Sequence, residues 1–262
     1  MRRSLVLEKL RNNEPVWCAK TNLTDPNVVE IMGYLGIHCV WICMEHGPIN
    51  FESVHNHVRA AKMMDMDTVI RVAKGSYSDL IRPFEMDATG IMVPHCMSGQ
   101  EAAEIVRMTR FQPIGRRAWD GGNSDGPFCM RPPEEYLTFA NQQRFVIAQI
   151  EDKEAVACME DIVATDNIDV FFLGPGDLSH SYGVPGQFTH PLVQEAIDKL
   201  AALCKQYGRC WGLPCPPENA PAMIEKGARF LAAGSDVTSL AAKFREMREG
   251  YMAAGLTFNG EL

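Results

Sequence analysis

The stretch RFVIAQIEDKEAVACMEDIVATDNIDVFFLGPGDLS, residues 144–179, decides the fold. It contains two apolar runs rich in β-branched and aromatic residues, RFVIAQI (144–150) and DVFFLG (169–174). Neither run alternates polar with apolar, so each reads as a strand covered on both faces. Between them, DKEAVACMEDIVA (152–164) reads as a helix lying on a sheet. Strand, helix and strand in this order make a parallel βαβ unit. Both runs lead into acids, Glu151 after the first and Asp177 in GPGD after the second. The two carboxylates are one βα unit apart, so they face the same end of adjacent parallel strands.

The alternation extends in both directions. Further runs are VWCAK (16–20), HCVWICM (38–44), DTVIRV (67–72), GIMVPH (90–95), RCWGLP (209–214) and ARFLAAG (228–234), eight in all. Helical segments separate them. PNVVEIMGYLG (26–36) follows the capping pair Thr24 and Asp25, with Pro26 in its first turn. SDLIRPFEMD (78–87) carries Pro83 inside, which blurs its ends. SGQEAAEIVRMTRF (98–111) opens on a capping box at Ser98 and Glu101. HPLVQEAIDKLAALCKQYG (190–208) and ENAPAMIEKGA (218–228) place Gly208 and Gly227 where C-caps belong. DVTSLAAKFREMREGYMAAG (236–255) closes the chain. Eight such alternations without a linker predict an α/β chain folded as a single (β/α)8 TIM barrel over residues 1–262. A doubly wound open sheet is the competing architecture. Residues 112–133 form the one long irregular stretch, and loops of that length usually serve function or move.

Composition narrows the class. Of 262 residues, 46% are hydrophobic and 22% charged, ordinary for a globular protein of one or two domains. A net charge of −8 argues against a nucleic-acid partner. The nine cysteines are scattered, odd in number and contain no Cys-x-x-Cys pair, which predicts reduced thiols and a cytoplasmic location. Cys210 and Cys215 read as small buried hydrophobes, and the fifteen methionines as core filler. The start MRRSLVLEKLRNNEPVW lacks the apolar stretch of a signal peptide, and nothing approaches a membrane-spanning length, so no membrane partner is expected.

Reactive groups of such a barrel gather at the C-terminal ends of its strands. The second run ends on Glu45 and His46, the third on Arg71, the fourth on His95, the fifth on Glu151, and the sixth leads to Asp177. This recurrence of polar residues at one end of apolar strands is the main functional signal. Glu151 and Asp177 together offer hard oxygen ligands with open positions, suited to Mg²⁺ or Mn²⁺; each alone reads equally well as an acid stabilised at a helix start. Arg71 reads as a clamp on an enolate or carboxylate oxygen, or as the ion-pair partner of a carboxylate such as Glu45. His46 reads as a metal ligand, a general base or a hydrogen-bonded core histidine, with Glu85 and Asp87 as candidate acidic partners. In GPGDLS (174–179) the amides of Gly176 and Asp177 are placed to receive a carboxylate, although the glycines equally suit a turn. His95 and Arg117 are candidates for contact with a second substrate. Lys20, near the end of the first run, is the Schiff-base alternative, and nothing in its sequence surroundings lowers its pKa.

WICMEHGP, VIRV, GIMVPHC, AQIED, FLGPGDLS and GARFLAAGSD, in this order and spacing, resemble the HpcH/HpaI family of class II, metal-dependent pyruvate aldolases over roughly residues 4 to 256. GGNSDG (121–126) resembles a subset of that family. The resemblance implies a (β/α)8 barrel assembled as a homo-oligomer, a hexamer or trimer, with the last helix exchanged between subunits. It implies an aldehyde-lyase of the 2-dehydro-3-deoxyglucarate or 4-hydroxy-2-oxoheptanedioate aldolase type, cleaving 4-hydroxy-2-oxo acids to pyruvate and an aldehyde. It further implies a divalent cation on Glu151 and Asp177, Mg²⁺ or Mn²⁺ with Co²⁺ or Zn²⁺ as further options. Pyruvate would be held by that cation, by Arg71 and by the amides of Gly176 and Asp177, with His46 as base and Glu85 as its acidic partner. Two positions depart from the family pattern: Cys43 stands where members often have Asp, and Glu85 where Asp is common. Losing the carboxylate at position 43 removes a charge behind the site without removing the site. An oxaloacetate-consuming decarboxylase or synthase and a non-catalytic metal and carboxylate binder are the competing functions.

Overall fold

The computed structural model describes residues 1–258. Eight parallel strands close into a barrel in sequence order: β1 (Val16–Thr21), β2 (Cys39–Cys43), β3 (Asp67–Arg71), β4 (Gly90–Val93), β5 (Phe145–Ile150), β6 (Val170–Leu173), β7 (Cys210–Pro214) and β8 (Phe230–Ser235). β8 pairs in parallel with β1, which closes the ring and removes the open-sheet alternative. The helices are α1 (Leu5–Arg11), α2 (Asn27–Tyr34), α3 (Phe51–Met63), α4 (Tyr77–Glu85), α5 (Gly99–Thr109), α6 (Pro133–Gln143), α7 (Lys153–Ala157), α8 (Met159–Val163), α9 (Pro175–Ser181), α10 (Pro191–Tyr207), α11 (Ala220–Glu225) and α12 (Asp236–Ala253).

Four of these helices, α1, α3, α6 and α9, lie outside the helical segments expected from sequence, α9 opening on Pro175 in its first turn. Each has a local cause. Ser4 caps α1 by accepting from the amide of Leu7, and Asn50 caps α3 by accepting from Ser53. Pro133 sits in the first turn of α6, where its missing N–H costs nothing. The helix expected over 152–164 is broken at Cys158, whose φ of −106° and ψ of 24° end α7 and begin α8. Its thiol turns to the carbonyl of Met97 at 3.0 Å.

Alternation within the strands sorts the core into two layers. Cys39, Trp41 and Cys43 of β2 point into the barrel with Phe145, Ile147, Val170, Phe172 and Phe230. Val40 and Ile42 point outward into the layer under the helices, with Ile70, Ile91, Phe171 and Leu173. Trp41 and Phe172 meet edge to face at 5.9 Å, and Phe172 meets Phe230 at 6.0 Å. Gly90 is required beside this packing, because a Cβ there would lie 2.1 Å from the Phe145 ring.

The N-terminal ends of the strands are closed by buried ion pairs. Asp67 accepts from the Arg2 guanidinium, the Ser4 hydroxyl and the Val6 amide. Asp87, ahead of β4, pairs with Arg144 and Lys62. Asp169 receives Arg110 and the Val146 amide. These groups stabilise the face opposite the strand ends that carry the reactive residues. No helix among the described residues is long and apolar enough to cross a membrane.

Candidate active site

The C-terminal mouth is built upward from the inward-facing positions. Arg71 closes β3 and is almost fully buried. Its Nε lies 2.9 Å from Glu45 Oε2, its Nη2 donates to the Cys43 sulfur at 3.3 Å, and its Cζ sits 4.9 Å from the Trp41 ring centroid. Arg71 therefore has Glu45 as its ion-pair partner and stands at the mouth. Glu45 and His46 follow β2 in a turn that Gly47 makes possible, since a Cβ on Gly47 would come within 2.7 Å of the Cys43 carbonyl. His46 Nε2 is 3.7 Å from Glu45 Oε2, and its ring is largely exposed.

Glu151, directly after β5, is only 1% exposed. Its Oε1 accepts from the His95 amide at 3.0 Å, and its Oε2 accepts from Gln149 Nε2 at 2.5 Å. Burial pushes its carboxyl up to about 7; the His95 amide and the charges of His95 and Arg71 work against that rise, and Asp177 adds to it. Asp177 lies in the first turn of α9, and its charge reaches Glu151 across the gap between neighbouring strands.

His95 has a φ of 50°, an uncommon backbone for a non-glycine residue. That turn aims its amide at Glu151 while its ring Nδ1 sits 2.8 Å from Asp152 Oδ2. Its Nε2 lies 3.7 Å from Glu45 Oε1, and its carbonyl accepts from Lys74 Nζ at 2.6 Å. Burial lowers its basicity, but the Asp152 hydrogen bond and the charges of Glu151, Asp152 and Glu45 outweigh burial and raise it. Sequence reasoning missed Gln149, Asp152 and Lys74. Gln149 was findable, because it stands two residues before Glu151 and hence on the same face of the strand.

Three expectations change. Glu85 is the last residue of α4, the end that leads into the bottom of β4, whereas His46 follows the top of β2. Within one chain the two do not form a dyad. Glu85 instead lies half-buried; burial raises its pKa, Arg117 opposes that rise, and Asp125 and Asp120 add to it. Asp87 is committed to Arg144 and Lys62 at the bottom face. Arg117 is buried under the 112–133 loop, donating to Asp125 at 2.8 Å and lying over Phe111 at 4.5 Å and Phe84 at 5.3 Å. Tyr136 also donates to Asp125 at 2.6 Å. Arg117 thus anchors the loop.

The mouth suits a hard divalent cation. Among the described residues no three His, Cys, Asp or Glu side chains converge on one point. A cation here would rest on two carboxylates and take its remaining oxygens from substrate and water, as Mg²⁺ and Mn²⁺ commonly do. Glu151 supplies a buried carboxylate whose charge is poorly compensated by the chain itself. Trp41 Nε1, Glu45 Oε2, Arg71 Nε and Gln149 Oε1 are buried without a hydrogen-bond partner. Arg71 and Glu45 are thus close enough to attract but not aligned to bond, which leaves donors and acceptors for a bound molecule.

Comparison with known proteins agrees with this arrangement. Residues 20–242 match the family model described as HpcH/HpaI aldolase/citrate lyase. The 5-keto-4-deoxy-D-glucarate aldolase of Klebsiella pneumoniae is 31% identical over 84% of this chain and 85% of its own length. The hydroxypyruvate/pyruvate aldolase of Roseobacter denitrificans is 28% identical over 91% of this chain and 96% of its own. The crystal structure of an HpcH/HpaI aldolase/citrate lyase family protein from Burkholderia cenocepacia superposes with a TM-score of 0.88 at 30% identity, covering 95% of this chain and 99% of the other. A closed eight-stranded barrel, acids at the ends of its fifth and sixth strands and a family match across most of its length lead to one conclusion: this chain belongs to the HpcH/HpaI aldolase/citrate lyase family.

Proposed function

We propose that the protein is a carbon–carbon lyase that reversibly cleaves 4-hydroxy-2-oxo acids into pyruvate, or a related 2-oxo acid, and an aldehyde. The observation that carries this reading is the buried Glu151 beside Asp177, with Arg71 held on the same mouth. The names of the relatives, aldolases of sugar acids and of hydroxypyruvate and pyruvate, support it.

Glu151 and Asp177 would hold Mg²⁺ or Mn²⁺. When bound, such a cation supplies Lewis-acid chemistry to the 2-oxo group. Arg71 adds a fixed positive charge for the oxygen on which negative charge develops; Glu45 and the Trp41 face hold it in place, so little reorganisation is needed. The amides of Gly176 and Asp177 receive the carboxylate. His46 carries the proton: from the 4-hydroxyl in cleavage, from the methyl group in condensation. Its exposed ring can exchange that proton with solvent. His95 and Gln149 position Glu151, one at each carboxylate oxygen. Cys43 leaves Arg71 with a thiol instead of a second carboxylate.

The whole chain serves as one catalytic domain, and the working form is an oligomer. α12 presents Leu240, Phe244, Met247 and Tyr251 to solvent, a stripe at helical spacing that a neighbouring barrel would cover. α2 exposes Ile31 and Tyr34, with Leu35 directly after them, as matching surface. An exchanged last helix in a hexamer or trimer uses both. A Glu85 working with a His46 likewise requires two chains. The nine unpaired thiols suit a reducing cytoplasm.

Exchange of the pyruvate methyl protons in deuterated buffer tests the reading. Exchange is expected with added Mn²⁺ or Mg²⁺ and lost with chelator or in Glu151→Gln. Exchange that ignores both would overturn it.

A further inference from the structure

The mouth contains a second cation that the proposed reaction does not use. Val16 and Cys18 of β1 point into the barrel, and the two-residue repeat puts Lys20 next on that face, at the rim. Its register partners are Trp41 on β2 and Ser235 at the end of β8. Lys20 Nζ lies 5.5 Å from the Trp41 ring centroid, and Arg71 Cζ lies 4.9 Å from the same centroid. Two cations thus share one indole.

They differ in their anions. Arg71 has Glu45 at 2.9 Å. Lys20, half-buried, has the Trp41 face and no carboxylate partner among the described residues. Asp236, next after the register partner Ser235, is turned to other work: it accepts from the Thr21 hydroxyl and from the amides of Asn22, Leu23 and Val237. Cys43, between Trp41 and the Glu45 turn, offers only a thiol. A half-buried ammonium without an anion is poorly satisfied, and an anion entering the mouth would satisfy it.

Position says which anion. In a ring of eight strands β1 stands opposite β5, whose end carries Glu151. A 2-oxo acid anchored at Glu151 and Asp177 that spans the mouth would bring its far end to Lys20. We propose that Lys20 is a specificity-determining residue that receives an anionic group on the aldehyde fragment, remote from the bond being made or broken, so that the preferred substrates are 4-hydroxy-2-oxo acids carrying a second anion. This rests on the aldolase reading and deepens it. Lys20 takes no covalent part.

The test compares condensation of pyruvate with succinic semialdehyde and with its methyl ester, which has the same reacting group and no charge. Wild type is expected to prefer the acid by tenfold or more in kcat/KM. Lys20→Met keeps the long apolar stem on Trp41 and should reduce that preference at least tenfold, mainly through KM for the acid. Lys20→Arg should restore most of it. An acid-to-ester ratio in Lys20→Met within twofold of wild type, an equal fall for both aldehydes, or a wild type without preference for the acid would overturn the inference while leaving the aldolase reading intact. A wild type that fails to exchange the pyruvate methyl protons would overturn both. A borohydride-trapped adduct on Lys20 would overturn the non-covalent role assigned to it.

Discussion

Gly174→Ala is a sharp perturbation of the proposed cation site, because it adds one methyl group and removes nothing. Gly174 joins β6 to α9 with φ −97° and ψ 89°, a backbone open to any L-residue. The substitution therefore acts through space rather than through strain. Its Cβ would lie 2.5 Å from Glu151 Oε2, 2.8 Å from Gln149 Nε2 and 2.9 Å from Glu151 Cβ. Ordinary contact begins at 3.4 Å, so the carboxylate oxygen must retreat by about 0.9 Å (3.4 − 2.5). Metal–oxygen geometry tolerates roughly 0.2 Å. Glu151 Oε1 is tied to the His95 amide, so the displacement cannot be absorbed by sliding the whole carboxylate freely. Overpacking should lower stability by about 1–3 kcal/mol. Mn²⁺ affinity should fall roughly tenfold to hundredfold, the usual penalty for disturbing the support of a ligand. Titration of Mn²⁺ followed by the paramagnetic resonance of the free ion reads this directly, with thermal melting to confirm folding. A folded Gly174→Ala protein that binds Mn²⁺ within twofold of the parent would refute the placement of the cation at Glu151.

Other expectations follow from the same geometry. Arg71→Ala should slow pyruvate methyl exchange by roughly 10²–10³-fold, the usual effect of removing one oxyanion donor; full activity in that variant would refute its role. The Glu151 carboxyl, pushed up to about 7, must release its proton before it can ligate. Mn²⁺ affinity should thus fall about tenfold per pH unit below that value and level off above it, and isothermal titration in buffers of different ionisation enthalpy should find a proton released near pH 6. Phe244→Asp, on the exposed stripe of α12, should shift the light-scattering mass of the assembly toward monomer; an unchanged mass would show that this stripe is not an interface.

The barrel and the acids at its rim were legible because burial on both faces leaves a simple signature. β2, β5 and β6 are apolar throughout or nearly so, and the acid that follows each run marks the mouth. α3 was not legible, since only Val54, His57, Val58, Ala60 and Ala61 of its thirteen residues are buried and its sequence is mostly polar. The role of His95 depends on a left-handed backbone turn, which a one-residue reading does not reveal. Gln149 drew no reading within its apolar run, although an amide inside a barrel needs a partner and Glu151 is that partner. The places of Glu85 and Arg117 within one chain were not legible for a related reason. Sequence nearness to β4 and to the long loop says nothing about which end of a helix, or which side of a loop, faces the mouth.

Anomalous diffraction from crystals soaked in Mn²⁺ and pyruvate would locate the cation. One strong peak per chain is expected between the carboxylates of Glu151 and Asp177, with pyruvate oxygens in its shell and the Arg71 guanidinium facing the 2-oxo oxygen. An ion found elsewhere, or those two acids turned apart with pyruvate bound without a cation, would contradict this placement.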